Sequence, residues 1–183
     1  MKGILAMVAV TASLLGGPVL AEDDAEPGAG GWYMAVGAGI QALEGWQNGS
    51  QGVLTVGRKL NYRHPDTPRS SVALEFSLSR SVDPITRHRN NVRREIDLTT
   101  AGLGLALNTY VTERFFHRAR VGLVYRYLER DSGSHHNQAR IGFGLGLGLA
   151  VTTRLELVAD AGLQYLGESD MLYTGALSAR YHF

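Results

Sequence analysis

The sequence predicts an all-β fold, an eight-stranded antiparallel up-and-down transmembrane β-barrel. Apolar and polar residues alternate in about eight segments, each about ten residues long, the length that a tilted strand needs to cross a bilayer. The connections between segments are alternately short and long. Glycine occupies every second position of 142–148, as the crowded interior of a narrow barrel requires.

The first three strands are predicted at residues 32–41, 52–62 and 71–82. One face of each is apolar and the other is polar or small, which is typical of a strand between two environments. The apolar faces carry Trp32, Met34, Val36, Ala38 and Ile40, then Leu54, Val56, Leu60 and Tyr62, then Val72, Leu74, Phe76 and Leu78.

The fourth strand changes phase along its length. Ile96 and Leu98 occupy even positions, whereas the apolar residues from Ala101 to Val111 occupy odd positions. A β-bulge inserts one residue and shifts the phase by one. We therefore predict a bulge at 99–101.

The last four strands are predicted at 117–128, 140–152, 155–166 and 171–183. Their apolar residues share odd positions. Arginines dominate the opposite face of the fifth strand, glycines that of the sixth, and acidic residues are found on that of the seventh. The three polar faces therefore complement one another in charge and size.

Residues 1–21 are predicted to be a secretory signal peptide. Lys2 supplies a positive start, residues 4–20 are largely apolar, and Ala21 precedes an acidic segment. We expect 22–31 to be a flexible periplasmic leader and 32–183 to be the barrel. No other stretch approaches the roughly twenty apolar residues of a membrane helix, so a chain that is embedded in a membrane has to be a barrel.

Composition argues against several classes of protein. Lys and Arg number 18 against 17 Asp and Glu, a balance that disfavours a nucleic-acid binder. There are no cysteines, which excludes a disulfide framework and a lipid-modified cysteine anchor. The length suits one domain.

The last strand ends on an aromatic residue, and its apolar face includes Tyr173, Leu177, Tyr181 and Phe183. It resembles the C-terminal strand of bacterial outer-membrane β-barrels, which the barrel-assembly machinery recognises. The whole chain is similar to the OmpA/OmpX-like family of small outer-membrane barrels. The resemblance implies export through a cleaved signal peptide to the bacterial outer membrane, contact with its lipids and lipopolysaccharide, and a monomer.

The connections predict an orientation. Residues 112–114 and 152–154 are tight turns and 63–70 is a moderate one, so these are predicted to be periplasmic. Short periplasmic turns and longer external loops are usual for membrane barrels. The predicted extracellular loops are 42–51, 83–95, 129–139 and 167–170.

The apolar face is predicted to contact lipid and the polar face to line the lumen. A soluble barrel would reverse this, but aromatic residues lie near strand ends, as interfacial girdles require. Glycines on a water-exposed strand face would weaken the strand without gaining contacts. Arg58 falls on the lipid face. Either its side chain reaches the interface, or a bulge near Gly57 shifts the strand.

Polar and charged residues of the inner face are predicted to form one ion-pair and hydrogen-bond network. Buried charges persist only when they are paired, and this set carries both signs. The interior is then plugged. The predicted members are Lys59, Glu75, Arg118, Arg120, Arg126, Arg140, Glu156, Asp160, Gln164 and Arg180.

The second external loop is strongly basic. Guanidinium groups bind phosphates in a bidentate manner, so this loop is a candidate for contact with lipopolysaccharide or an anionic host ligand. The alternative is a solvated loop that merely suits a phosphate-rich leaflet. The basic residues are Arg87, His88, Arg89, Arg93 and Arg94.

We predict no cofactor and no metal site. The glycine row 142–148 alternates strictly and lacks the strand-to-helix turn of a phosphate-binding loop. His135, His136 and His88 lack a convincing set of further metal ligands.

No catalytic residue is predicted. Lipid A deacylases of similar size carry a His-x-Ser pair on the seventh strand, but 155–166 contains neither residue type. A different Ser, His and acid set remains open in the loops, namely Ser132, Ser134 or Ser169 with His135 or His136 and Asp131 or Glu168. The leading interpretation is a structural or surface-interaction barrel; the alternatives are a narrow channel for small solutes and a lipid A-modifying enzyme.

Overall fold

The computed structural model describes residues 31–43, 46–60, 70–89, 92–130, 135–165 and 171–183, with the backbone alone at 88–89, 92–94, 128–130 and 135–137. The predicted signal peptide 1–21, residues 22–30 of the predicted leader, and the connections 61–69 and 166–170 lie outside the described residues. None of the described residues forms a helix long and apolar enough to cross a membrane.

The described residues form nine β-strands. Eight of them form a closed antiparallel ring in the order β1-β2-β3-β5-β6-β7-β8-β9, and β9 pairs with β1. The short β4 follows Pro84 and pairs with the first residues of β5. The predicted eight-stranded barrel is thus confirmed. The strands are β1 Trp32–Leu43, β2 Gly49–Leu60, β3 Ser70–Asp83, β4 Ile85–Arg89, β5 Val92–Tyr110, β6 Phe115–Arg130, β7 His135–Ala150, β8 Leu155–Tyr165 and β9 Met171–His182.

The ring closes between its first and last strands, as the sequence predicts. Tyr33 pairs with His182 and the register continues without a shift to Leu43 opposite Leu172. The backbone N–H of Phe183 adds a further bond to the carbonyl of Trp32, at 3.0 Å. Because closure pairs every strand on both sides, no sheet edge is left open within the ring.

Two tight turns define one end of the barrel, here called the turn end. The Oγ1 atom of Thr112 accepts bonds from the backbone N–H groups of Arg114 and Phe115, at 3.3 and 2.9 Å. Thr152 does the same for Arg154 and Leu155, at 3.2 and 3.0 Å. These hydroxyls satisfy backbone donors that the strand ladder leaves free. The opposite end is called the loop end.

The apolar face of the barrel points outward. Leu145 and Leu177 are 70 % and 64 % exposed, whereas Arg118 is 3 % exposed. The same pattern holds around the ring, with Val36, Leu103, Phe143 and Tyr173 exposed and the polar positions buried. A protein surrounded by water would show the reverse, so this inversion suits a barrel surrounded by lipid.

The predicted bulge at 99–101 is wrong. The register of β5 with β6 continues without a shift from Ile96 opposite Arg130 to Tyr110 opposite Phe116. Instead, Ile96 and Leu98 keep the even-numbered phase and point inward, where they are buried. The apolar pattern changes face because the interior itself changes from polar to apolar near the loop end. Among the ladders that the described residues form, the one shift is at Ser50/Gln51 in the β2–β3 pair.

An apolar cluster lies inside the loop end, and we call it the apolar cap. Ile85, Leu98 and Leu172 form it, with Leu43 and Trp46 packed against them. In the eight-strand ring β5 and β9 stand on opposite sides. The cap therefore crosses the lumen from wall to wall.

The second predicted loop, 83–95, is mostly strand. β4 and the first residues of β5 form a hairpin with Ile85 opposite Ile96 and Arg89 opposite Val92. The hairpin continues past the end of the ring. Beyond the lipid-facing part of the barrel neither face of a strand has to be apolar, so alternation could not reveal this extension. The third predicted loop, 129–139, is shortened in the same way by β6 and β7.

Candidate functional site

Glu75 on β3 lies at the centre of the turn half of the lumen. It is 5 % exposed and accepts hydrogen bonds from the hydroxyl of Tyr33 and from Nη2 of Arg118. Nη2 of Arg180 lies 3.7 Å from Oε1 of Glu75, the oxygen that Tyr33 also contacts. The carboxylate is thus surrounded by donors from three other strands, as a buried anion requires.

Glu156 on β8 is the second centre, nearer the turn end. Nη1 of Arg180 donates to it at 2.9 Å, and Nε2 of His182 lies 3.1 Å away. The Lys59 ammonium is 4.0 Å away and the Tyr110 hydroxyl donates at 3.4 Å. Arg180 therefore links Glu156 to Glu75.

Asp160 on β8 joins the network through two arginines. Its Oδ1 atom is 3.2 Å from Nε of Arg118 and 3.8 Å from Nε of Arg120. Gly146 faces Asp160 on β7, and a Cβ atom there would come within 2.3 Å of Oδ1 of Asp160 and 2.7 Å of the Ala159 carbonyl. The glycine row therefore provides the room that this part of the network occupies.

The structure brings together seven of the ten residues predicted for the lumen network. Three of them are carboxylates and the other four are cations that contact these carboxylates. Arg118 and Arg180 each contact two of the three. The seven are Lys59, Glu75, Arg118, Arg120, Glu156, Asp160 and Arg180.

Arg126, Arg140 and Gln164 stand apart from those carboxylates. Arg126 is 4 % exposed and its Nη2 atom donates to Oε1 of Gln138 at 3.3 Å. Gln164 lies on β8 opposite Gly142. All three belong to the loop half of the lumen.

Aromatic and amide side chains complete the network and were not predicted as members. Tyr33 and Phe116 are fully buried, and the guanidinium carbon of Arg180 lies over both rings, at 4.5 and 6.0 Å. Oδ1 of Asn108 accepts a bond from Nη1 of Arg118 at 3.1 Å. All of them occupy the alternate strand positions that face the lumen, as the charged residues do. That alternation is the feature of the sequence that could have predicted them.

Arg58 lies on the outer face of β2 near the turn end. It is exposed, and its guanidinium lies over the ring of Trp32 at 5.5 Å. The register around Gly57 is continuous in both neighbouring ladders, so the alternative of a bulge there is wrong. The position corresponds to the other alternative, a side chain that reaches the interface.

The basic residues of the second loop occupy the β4–β5 hairpin. Arg87 stands opposite Arg94 and His88 opposite Arg93, with Arg89 opposite Val92. Like charges that face each other across a ladder are destabilising. We call these five residues, Arg87, His88, Arg89, Arg93 and Arg94, the basic hairpin.

The basic hairpin is attached to the connection between β1 and β2. The backbone N–H of Gln47 donates to the Thr86 carbonyl at 2.7 Å, and the Thr86 hydroxyl donates to Oε1 of Gln47 at 2.9 Å. The Arg87 guanidinium lies over Trp46 at 5.6 Å. Trp46 also packs on the apolar cap, so this one side chain contacts both the hairpin and the cap.

The four residues predicted as the assembly signal lie on the outer face of β9. Tyr173, Leu177, Tyr181 and Phe183 are all exposed. The rings of Tyr181 and Phe183 meet edge to face at 5.4 Å. They form part of the surface that would contact lipid at the turn end.

The residues left open as a catalytic set cannot be placed. Ser132, Ser134, Ser169, Asp131 and Glu168 lie outside the described residues, as do the side chains of His135 and His136. Within the described side chains, no three His, Cys, Asp or Glu residues are grouped as metal ligands.

Comparison with known proteins agrees with this architecture. Residues 7–183 match the family described as outer membrane protein beta-barrel domain. No curated protein matches the sequence. Among solved structures, Ail of Yersinia pestis, in complex with the heparin analogue sucrose octasulfate, is 13 % identical with a TM-score of 0.58 over 84 % of this chain and 99 % of that one.

Two further barrels are similar in fold. Neisserial surface protein A is 18 % identical with a TM-score of 0.57, over 82 % of this chain and 95 % of that chain. The N-terminal barrel domain of Pseudomonas aeruginosa OprF is 16 % identical with a TM-score of 0.56, over 84 % and 99 %. At these identities the likeness is one of fold alone.

Proposed function

Because this chain belongs to the family of outer membrane protein β-barrel domains, we propose that it is a non-catalytic surface-interaction barrel of the bacterial outer membrane. The strands anchor the protein, the lumen network makes it rigid, and the basic hairpin presents cations outside the cell. The ligand class is an anionic saccharide that carries phosphate or sulfate groups, such as lipopolysaccharide.

The register of the basic hairpin carries this proposal. Two cross-strand positions set cationic residue types against each other, Arg87 with Arg94 and His88 with Arg93. Such a ladder loses stability when it is empty and gains it when an anion lies between the cations. Arginine suits phosphate and sulfate because its planar donors bind two oxygens at once.

Two further observations support an interaction role over a transport role. The lumen is crossed by the ion-pair network in its turn half and by the apolar cap at its loop end. A barrel of similar fold, Ail, was solved in complex with a heparin analogue, which is a sulfated saccharide mimic. The fold is thus compatible with binding of an anionic ligand.

Assembly is part of the same proposal. The exposed aromatic and apolar residues of β9, Tyr173, Leu177, Tyr181 and Phe183, would be read by the barrel-assembly machinery after export through a signal peptide cleaved after Ala21. Pulse-labelling of the Ala21→Arg and Phe183→Ser variants tests both steps: the first should retain the precursor and the second should slow the appearance of folded barrel.

Binding of defined ligands to the refolded protein tests the surface role. The protein in nanodiscs is titrated with lipopolysaccharide and, separately, with sucrose octasulfate. The double variant Arg93→Gln/Arg94→Gln should bind about tenfold or more weakly, since charge-assisted bonds contribute about 1.5–3 kcal/mol each. Arg114→Gln/Arg154→Gln, at the opposite end, is the matched control and should bind as wild type does.

The two titrations also identify the source of the anion. Loss of lipopolysaccharide binding alone points to the neighbouring leaflet, and loss of sucrose octasulfate binding alone points to a sulfated glycan outside the cell. Equal affinity of the hairpin variant and the wild type for both ligands would refute the proposal.

A further inference from the structure

Arg126 on β6 and Arg140 on β7 form a pair of cations in the loop half of the lumen. Arg126 stands opposite Gln138, and Arg140 lies two positions after Gln138 on β7. Diagonal neighbours on one face of a ladder lie within reach of each other's long side chains. We call Arg126 and Arg140 the arginine pair.

No carboxylate of the described residues contacts the arginine pair. The three acidic residues of the lumen network form their ion pairs with Lys59, Arg118, Arg120 and Arg180 instead. Arg126 is 4 % exposed, yet its only hydrogen bond among the described residues goes to the neutral amide of Gln138. The Nε atoms of both arginines are buried without an acceptor among those residues.

Other polar groups at this level of the barrel also include hydrogen-bond donors. Thr100 stands opposite Arg126 on β5 and Ser79 stands opposite Thr100 on β3. Their hydroxyls are 2.7 Å apart, so one of them donates to the other and the second keeps its proton for another acceptor. Neither hydroxyl brings a negative charge to the two guanidinium groups.

The surroundings of the arginine pair make its uncompensated charge unfavourable. The apolar cap lies just beyond it, since Leu98 is two positions from Thr100 on β5. A cation that is kept from water costs several kcal/mol unless a counter-charge accompanies it. Two adjacent cations double that requirement. Arg140 is only partly buried, so part of its side chain stays accessible to solvent.

We propose that Arg126 and Arg140 bind one small inorganic anion inside the barrel, of the chloride or phosphate class. The anion supplies the negative charge that the described residues do not supply in this half of the lumen. The site is separate from the basic hairpin, which lies outside the ring. It gives the barrel a stability that depends on the anion in solution.

Chloride-35 nuclear magnetic resonance tests the site directly. The protein is refolded in a neutral maltoside detergent, and the background variant Arg93→Gln/Arg94→Gln removes two cations of the hairpin. The background variant should still broaden the chloride resonance relative to a protein-free sample. This excess line width should be lost when inorganic phosphate is added. It should fall about tenfold or more in Arg126→Gln and in Arg140→Gln, since each removes a charge-assisted contact.

Control variants separate a site from general charge effects. Arg114→Gln and Arg154→Gln, in the exposed turns, should leave the line width unchanged. Heat-modifiable migration on gels reports folding, and Arg140→Gln, at a partly exposed position, provides the answer if Arg126→Gln does not fold. Line widths that are equal in the background and in folded Arg140→Gln, or no excess broadening in the background, would overturn the proposal.

Discussion

Leu98 and Leu172 belong to one buried cluster, although their strands β5 and β9 stand on opposite sides of the barrel. The cluster joins opposite walls of the barrel near its loop end. It also couples two strands that share no hydrogen bond. Packing inside the lumen therefore adds to the stability that the outer face gains from contact with lipid.

The first prediction concerns the apolar cap. Leu98→Ala and Leu172→Ala should each lower the free energy of unfolding by about 2–5 kcal/mol, because each opens a cavity in a buried cluster. Their effects should be non-additive by about 0.5–3 kcal/mol, as for residues that are coupled through one packed cluster. Equilibrium urea unfolding in lipid vesicles measures both. Leu145→Ala, on the lipid face, is the matched control and should cost less than either.

The second prediction concerns the lumen network. Glu75→Gln should destabilise the barrel by about 3–5 kcal/mol, because Arg118 and Arg180 would keep buried charges with one carboxylate fewer. Glu113→Gln, in an exposed turn, should have no measurable effect. The same unfolding assay reports both. A Glu75→Gln protein within 1 kcal/mol of wild type, about the scale of a neutral hydrogen bond, would contradict a network stabilised by charge.

The third prediction concerns the glycine row. Gly146→Ala should destabilise strongly, because its Cβ atom would collide with Asp160 and with the carbonyl of Ala159. Gly52→Ala should be tolerated, since no atom lies within 4 Å of the Cβ position there. The thermal midpoint of gel migration compares the two variants. Equal midpoints would show that the glycines do not provide room for the charged residues.

The fourth prediction concerns conduction. Wild-type protein in planar bilayers should give no stable single-channel steps, because the network and the cap both cross the lumen. Leu98→Ala/Leu172→Ala should remain closed, since the network still fills the turn half. Regular conductance steps in the wild type would favour the alternative function of a narrow channel.

Much of the barrel wall follows from local pattern. A period of two, segments of about ten residues and alternating connections predict strands, their faces and their pairing with sequence neighbours. The inward positions of Glu75, Arg118 and Arg180 follow from parity alone. Their partners do not, because an ion pair across the lumen depends on how far the ring is staggered and closed.

The errors have physical causes as well. A bulge at 99–101 is expected only if inward residues are polar throughout, but Leu98 is inward and apolar because it belongs to the cap. Alternation does not predict the β4–β5 hairpin, because a strand outside the lipid needs no apolar face. Parity predicts Arg126 in one group with the carboxylates, because it gives a residue's face and not its depth along the lumen.

The sequence by itself determined the class of fold, the lipid-facing and lumen-facing sets, and the closing role of β9, because alternation is a local property of each strand. Only the tertiary structure decided which inward charges meet, that the apolar cap crosses the lumen, and that Arg126 and Arg140 lie away from the carboxylates. Those relationships join residues from distant strands, and they exist only after the ring closes.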